Sequence, residues 1–238
     1  MYRGHSIQVI LPAFNEQGKI GRSVTRIPRD LVDRVVVVDD GSTDDTCAEA
    51  EAAGALVLRH AVNRGVGAAI RTGIGQALAD GIDLCGILAG DDQDDPEEIV
   101  RLTEAIVDRG YDFVQGSRYL AGGRRLNQPV SRTVMTRAYS LTFSLCALRW
   151  ITDATNGFKL FRSSMCHDIR IDQEWLDRYE LEPYLLYQAI RRGFKVCEVP
   201  VTKFYPQDRS VGYTKMRASR DWWRISRPLL LLTLRVKR

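Results

Sequence analysis

Four consecutive valines, Val35–Val38, followed by the pair Asp39-Asp40, restrict the fold more than any other stretch of this chain. A β-branched run with no polar alternation makes a strand that is apolar on both faces. Such strands belong to parallel sheets covered by helices on both sides. The neighbouring sequence supplies the helices. Ile7–Leu11 reads as a strand closed by Pro12, and Glu16 to Ile27 is spaced helically through Ile20, Val24 and Ile27 until Pro28 stops it. Beyond the valines, Ser42 or Thr43 is expected to cap a helix running through Ala53, with Gly54 at its end. Ala55–Leu58 then reads as a strand, Gly67–Ala79 as a helix and Leu84–Leu88 as a strand. Pro96 opens a helix with Ile99, Leu102 and Ile106 on its apolar face, and Asp112–Gln115 closes the series as a strand. This alternation predicts a doubly wound, mostly parallel α/β sheet.

After Gly116 the rhythm loosens. Gly122-Gly123 and Pro129 mark a loop, a helix is expected from Ser131 to about Leu148, a strand over Asn156–Phe161, a helix over Leu181–Arg192 and extended chain over Val196–Tyr205. Neither a repeat of 20–50 residues nor a low-complexity linker appears. The expected organisation is one domain over residues 1–215, with halves at 1–120 and 121–215, and a basic amphipathic C-terminal helix over residues 216–238.

Charge separates those halves. The net charge of the 238 residues is +4, yet residues 1–120 carry 12 basic and 20 acidic side chains and the remainder 22 and 10. A chain whose first half is so acidic does not read as a nucleic-acid binder, and it carries no RNP, KH or zinc motif. With 45% hydrophobic and 27% charged residues it is neither disordered nor an integral membrane bundle. No stretch approaches the roughly 20 apolar residues that span a bilayer. Five cysteines, odd in number and widely spaced, support neither a disulfide framework nor a CxxC metal site. With no secretory leader read at Met1–Ser6, the expected location is cytoplasmic, at most peripheral on the inner face of the membrane.

Ligands of open parallel sheets sit beyond the carboxyl ends of the strands. Three polar clusters fall there: Pro12-Ala13-Phe14-Asn15-Glu16, Asp39-Asp40-Gly41-Ser42-Thr43-Asp44 and Asp91-Asp92-Gln93-Asp94-Asp95. Turns and caps account for some of these residues. Paired carboxylates at one mouth of the sheet also repel, and a cation or ligand donors would offset that repulsion. Hard oxygens of this kind suit Mg²⁺ or Mn²⁺. The glycine-rich Asn63-Arg64-Gly65-Val66-Gly67 precedes a helix, so its amides, with Arg64 and Gly67, are placed to meet a phosphate or ribose. The dinucleotide fingerprint lacks its third glycine, and no G-x-x-x-x-G-K-[ST] occurs, which excludes a P-loop ATPase and argues against a dehydrogenase.

The order PAFNE, VVVVDDGSTDDT, NRGVGAAIRTG and AGDDQDDPEE resembles glycosyltransferase family 2, the inverting nucleotide-sugar transferases with a Rossmann-like GT-A fold. Later segments resemble the polyprenyl (dolichyl) phosphate sugar transferases of that family. They are GSRY at 116–119, N-x-P-x-x-R-x-x-x-T from Asn127 to Thr136, DATNGFKLFR at 153–162, YELE at 179–182, EVPV at 198–201 and GYTK at 212–215. The resemblance implies that Pro12, Ala13, Asn15, Glu16 and Asp40, with Asp39 beside them, hold the nucleoside. It implies that Asp91 and Gln93 reach the metal and the diphosphate. The first position of the expected D-x-D is Ala89, so one carboxylate ligand is missing. Arg118, Arg132 and Thr136 match positions that bind an acceptor phosphate, and Lys215 would close a basic loop over the diphosphate.

A phosphate monoester acceptor is already anionic near neutral pH, so it needs a guanidinium clamp and no general base. A hydroxyl acceptor, on a glycan or small metabolite, needs a base within hydrogen-bond reach, and Asp153, Glu180 and Glu182 are the candidates. A third reading is a non-catalytic nucleotide-binding or interaction domain. For the tail, Trp222-Trp223 and Leu229–Leu232 among arginines suit two arrangements. One is an interfacial helix on an anionic leaflet; the other packs its apolar side on the sheet or on a second copy of the chain.

Overall fold

The alternation along the valine run sorts the whole molecule into layers. In a computed structural model describing residues 1–206 and 218–233, Val36 and Val38 of β2 (Arg34–Asp39) enter one hydrophobic core while Val35 and Val37 enter another. Ile10 of β1 (Ile7–Ala13) joins the first core, and Val9 and Leu11 join the second. Successive side chains of a strand point to opposite faces, so each strand stitches two helical layers together.

The first core receives α3 (Val66–Ala79) through Ile70 and Ile74, and α5 (Val130–Ala147) through Tyr139 and Phe143. It also receives α7 (Leu181–Arg191) through Tyr184 and Leu185, and α8 (Ala218–Thr233) through Ile225 and Leu229. The second core takes Ile20 and Val24 of α1 (Ile20–Thr25), Ala50 of α2 (Thr46–Ala52), and Ile99, Leu102 and Ile106 of α4 (Ile99–Val107). The doubly wound reading therefore stands.

With β3 (Leu56–Arg59), β4 (Leu84–Ile87), β5 (Phe113–Ser117), β7 (Lys159–Arg162) and β8 (Val196–Pro200), the main sheet has seven strands in the order β3-β2-β1-β4-β7-β5-β8. The chain winds one way from β1 to β3 and then places β4 on the other side of β1. That reversal puts a topological switch point between β1 and β4, where such sheets open a crevice. β7 lies antiparallel between β4 and β5; every other pairing in the sheet is parallel. A separate two-stranded sheet pairs β6 (Arg124–Leu126) with β9 (Thr202–Phe204).

Three boundaries differ from expectation for local reasons. Glu16–Lys19 forms a turn ahead of α1, with Lys19 N donating to Glu16 O. Neither Ser42 nor Thr43 caps α2, which starts at Thr46. Ser42 Oγ instead accepts from Asn15 N at 2.8 Å, and Thr43 N donates to Asn15 Oδ1 at 2.9 Å. Pro96 opens a short 3₁₀ turn that leads into α4, and Asp95 Oδ1 accepts from Glu97 N. The five cysteines are free, and no helix among the described residues is long and apolar enough to cross a membrane.

Candidate active site

A cleft of about 480 Å³ opens at the switch point. Its donor-side wall includes Pro12, Ala13, Phe14, Glu16, Asp40 and Asp91, drawn from the segments after β1, β2 and β4. Asp40 anchors this wall: His60 Nδ1 lies 2.7 Å and Arg64 N 2.9 Å from Oδ1, and Gly65 N donates to Oδ2 at 2.7 Å. Those contacts take three of the roughly four acceptor positions of the carboxylate. Asp39 is buried behind this wall, and Asn15 is half-buried beside it; neither lines the cleft. Asp39 accepts from Ser42 N and pairs with Arg59 at 3.3 Å, and Asn15, at φ 51°, ties its loop to the one after β2.

The glycine-rich loop corrects an expectation. Two of its amides serve the protein: Arg64 N and Gly65 N donate to Asp40, and just beyond the loop Ala68 N donates to Asp177 O at 2.9 Å. A Cβ at Gly67 would collide with the Leu176 carbonyl oxygen and lie 2.6 Å from that of Arg178. The glycines admit the 176–178 backbone against the start of α3, so Gly67 is not a phosphate-facing residue. The Arg64 side chain borders a second, polar hollow shared with Arg178, Arg224 and Arg227.

Only one carboxylate of the 91–95 cluster is left for the cleft. Asp92 Oδ2 accepts from Arg22 Nε at 2.7 Å, Asp95 pairs with Arg26 at 2.6 Å, and Asp94 pairs with Lys203 at 2.9 Å. Asp91 faces the cleft with Gln93 beside it and Ala89 two residues before, and Asp91 Oδ1 accepts from Gln93 N at 3.2 Å. Among the described residues no group of three His, Cys, Asp or Glu side chains is arranged to hold a metal. The donor set of one carboxylate and one amide oxygen fits a hard divalent ion that draws its other ligands from a diphosphate and water, the usual habit of Mg²⁺.

On the acceptor side, Arg118 and Arg132 both line the cleft. Arg118 is buried and forked onto Asp153, with Nε to Oδ2 at 2.7 Å and Nη2 to Oδ1 at 2.8 Å. Nη2 also donates to Thr155 Oγ1, and Nη1 to Tyr205 OH. Four of its five N–H groups are thereby used, leaving one Nη1 hydrogen for a ligand. Burial works against the guanidinium, but Asp153 outweighs it and holds the Arg118 pKa above that of ordinary arginine. The Arg132 guanidinium stacks 5.6 Å from the centre of the Tyr205 ring, so Tyr205 links the two arginines.

Two expected site residues stand back from the cleft. Asp153 is fully buried and accepts from Arg118 N, Nε and Nη2 and from Thr155, so it positions Arg118 and is not placed to act as a base. Glu198 accepts from Thr152 N and Asp153 N, which fixes that loop and gives the EVPV segment its role. Thr136 is buried one turn after Arg132 on α5 and does not line the cleft. Glu182 does line it, and its Oε1 accepts from Lys159 Nζ at 2.8 Å. Glu180 borders the second hollow, where burial pushes its carboxyl above the usual range. Lys215 lies outside the described residues.

The described part of the tail packs on the domain through one side, while Trp223 and Leu230 stay exposed. Trp222 meets the Tyr139 ring edge-on at 6.1 Å, Tyr139 OH donates to Ile225 O, and Asp221, Arg224 and Ile225 form part of the cleft wall. Lys203 escaped the sequence reading. It lines the cleft from β9, buried against Asp94. Burial lowers the Lys203 pKa, but the Asp94 and Asp91 carboxylates outweigh it and keep the ammonium charged. A lone lysine in a short extended segment carries no periodic signal; only its place beside EVPV pointed there.

Residues 8–170 match the family described as Glycosyl transferase family 2, and the chain belongs to that family. It is a glycosyltransferase with a GT-A fold, so the non-catalytic reading gives way. Among its relatives, polyprenol monophosphomannose synthase of Mycolicibacterium smegmatis is 32% identical over 219 residues, covering 89% of this chain and 81% of that protein. Undecaprenyl-phosphate mannosyltransferase of Micrococcus luteus is 31% identical, covering 88% and 87%. In fold, the chain is similar to glucosyl-3-phosphoglycerate synthase of Mycobacterium tuberculosis, with a TM-score of 0.71 at 19% identity, covering 99% of this chain and 82% of that one. That enzyme was crystallised with Mn²⁺, uridine diphosphate and glucosyl-3-phosphoglycerate, and in another crystal with Mg²⁺ and uridine diphosphate.

Proposed function

We propose that the protein moves a hexose from a nucleoside-diphosphate sugar to a polyprenyl phosphate. The observation that carries this reading is the pairing of Arg118 and Arg132 through Tyr205 in the cleft that also holds Asp91 and Gln93. An acceptor phosphate oxygen needs no base. It needs fixed cations that bring it up to a donor diphosphate of the same charge. Arg118, immobilised by Asp153, supplies a preorganised N–H, and Arg132 supplies a second guanidinium. The phosphate oxygen bonds to the anomeric carbon as the bond from that carbon to the donor diphosphate breaks. The configuration inverts and a nucleoside diphosphate leaves.

Lys203 would stabilise the leaving diphosphate, being a charged ammonium in a mostly buried site next to Asp91. Asp91 and Gln93 would hold Mg²⁺ or Mn²⁺ together with the diphosphate, and the bound ion would supply charge neutralisation there. The relatives named for polyprenol and undecaprenyl phosphates support the acceptor class. A hydroxyl acceptor is the second reading, favoured by the carboxylate of Glu182 on the cleft wall, which could serve as base.

A melting screen with UDP- and GDP-linked sugars, with and without Mn²⁺, tests the donor site. Stabilisation by at least one nucleotide sugar, larger with Mn²⁺, is expected; none from any of them would overturn the reading.

A further inference from the structure

Helix α5 is built inside out. Its buried side carries Thr136, Ser140 and Ser144 beside Tyr139 and Phe143. The two inward serine hydroxyls are satisfied: Ser144 Oγ donates to Ser140 O at 2.7 Å, and Ser140 Oγ accepts from Ala154 N at 3.1 Å. The outward side carries Val130, Val134, Met135, Leu141 and Leu145, and the turn that follows adds Leu148 and Trp150. Leu145 is 68% exposed, Leu148 82% and Trp150 71%. At about 100° per residue, Val130, Val134, Leu141 and Leu145 fall within an arc of roughly 60°. Among the described helices, no other exposes more than two large apolar side chains. A patch of this kind on a soluble fold marks an interaction surface.

The surrounding charge identifies the partner. From Arg118 through Thr152 the sequence holds six arginines and no Asp or Glu. Arg125 and Arg137 flank the Tyr119 ring at 4.9 and 5.3 Å, next to the start of α5. There the small sheet adds the exposed register pair Leu126 and Phe204. Two copies packed through this surface would bring arginines together with no carboxylate between them. An anionic leaflet offers both an apolar interior and phosphates for the arginines.

We propose that the outer face of α5, with Trp150, docks on an anionic lipid surface. The helix lies in the interface plane, its leucines and valines enter the headgroup–acyl boundary, and the arginines meet lipid phosphates. The docking itself stands on this surface alone. That it brings a lipid phosphate to Arg132, on the same helix, rests on the reading above. The contact is thereby assigned to α5 and not to the tail, where Trp222 is partly buried against Tyr139 and, among the described residues, only Trp223 and Leu230 are large, apolar and exposed.

Flotation of the full chain with phosphatidylcholine vesicles, with and without phosphatidylglycerol, tests it. The wild type should float with the anionic vesicles and far less with the neutral ones. Brominated lipid should quench its fluorescence, less so in Trp150→Phe. The pair Leu141→Glu and Leu145→Glu should lose at least about tenfold in partition, with an unchanged melting temperature and unchanged transfer to a short, soluble phosphate acceptor. Should the charged pair alter folding, Leu141→Ser with Leu145→Ser repeats the comparison. A wild type that does not float overturns the proposal, and so does a folded double variant that floats equally well. A dimer that these substitutions dissociate, with no vesicle binding at any stage, would assign the face to a second copy instead. Flotation without transfer to any phosphate acceptor would keep the docking and remove the lipid-phosphate reading.

Discussion

Arg118 and Asp153 meet fork to fork beneath the cleft, Nε to Oδ2 at 2.7 Å and Nη2 to Oδ1 at 2.8 Å, with 2% and 0% of their side chains exposed. Removing one member of a buried pair strands the other's charge, at a cost of about 3–5 kcal/mol. Asp153→Ala is therefore expected to lower unfolding free energy by that order, read by urea denaturation. A loss below about 1 kcal/mol would show that Arg118 does not depend on this partner.

Gly67 is a packing residue on the same reasoning. Gly67→Ala forces a Cβ into the Leu176 and Arg178 carbonyls, which are backbone atoms and give way poorly. The start of α3 must shift off the 176–178 segment, and a loss of about 1–3 kcal/mol is expected, as for other overpacked sites. A variant with the wild-type melting temperature would mean that this segment moves freely.

Lys203 and Asp94 separate charge from scaffold. Lys203→Met keeps the length of the side chain and removes the ammonium, so affinity for a nucleoside diphosphate should fall by about tenfold in titration calorimetry. Asp94→Asn keeps the shape and leaves Asp91 beside the ammonium, so affinity should fall less than in Lys203→Met. Equal losses in both variants would make the pair structural only.

On the proposed reading, Ala89 in place of a carboxylate would make metal binding dependent on the nucleotide. Ala89→Asp supplies the missing carboxylate beside Asp91, and Mn²⁺ affinity without nucleotide should rise by about tenfold or more. No change in a Mn²⁺ titration would mean that position 89 does not reach the ion.

What the chain revealed of itself followed the range of each interaction. The valine run and the Ile99, Leu102, Ile106 stripe are periodic signals within one element, and both led to the correct layers. β7 has four residues, and nothing in Lys159–Arg162 specifies antiparallel neighbours on both sides. Gly65 and Gly67 carry the same signature whether a phosphate or a protein backbone approaches, and here it is backbone. Asp153 read as a base because its partner Arg118 is 35 positions away in sequence and no local pattern joins them. The tail offered even terms to membrane and core, and the contact that packs one side of it, Tyr139–Trp222, joins residues 83 positions apart that no local pattern connects.

Arg132→Ala tests the central claim most directly, in an assay of labelled hexose transfer from a nucleotide sugar to a polyprenyl phosphate. With Arg118 and the donor wall untouched, the nucleotide-induced melting shift should persist. Turnover with the phosphate acceptor should fall by about 10²-fold or more, the usual scale for losing a charged group that orients or stabilises the reacting atoms. Unchanged turnover in Arg132→Ala, or no transfer by the wild type to any polyprenyl phosphate, would contradict a phosphate acceptor held by Arg118 and Arg132.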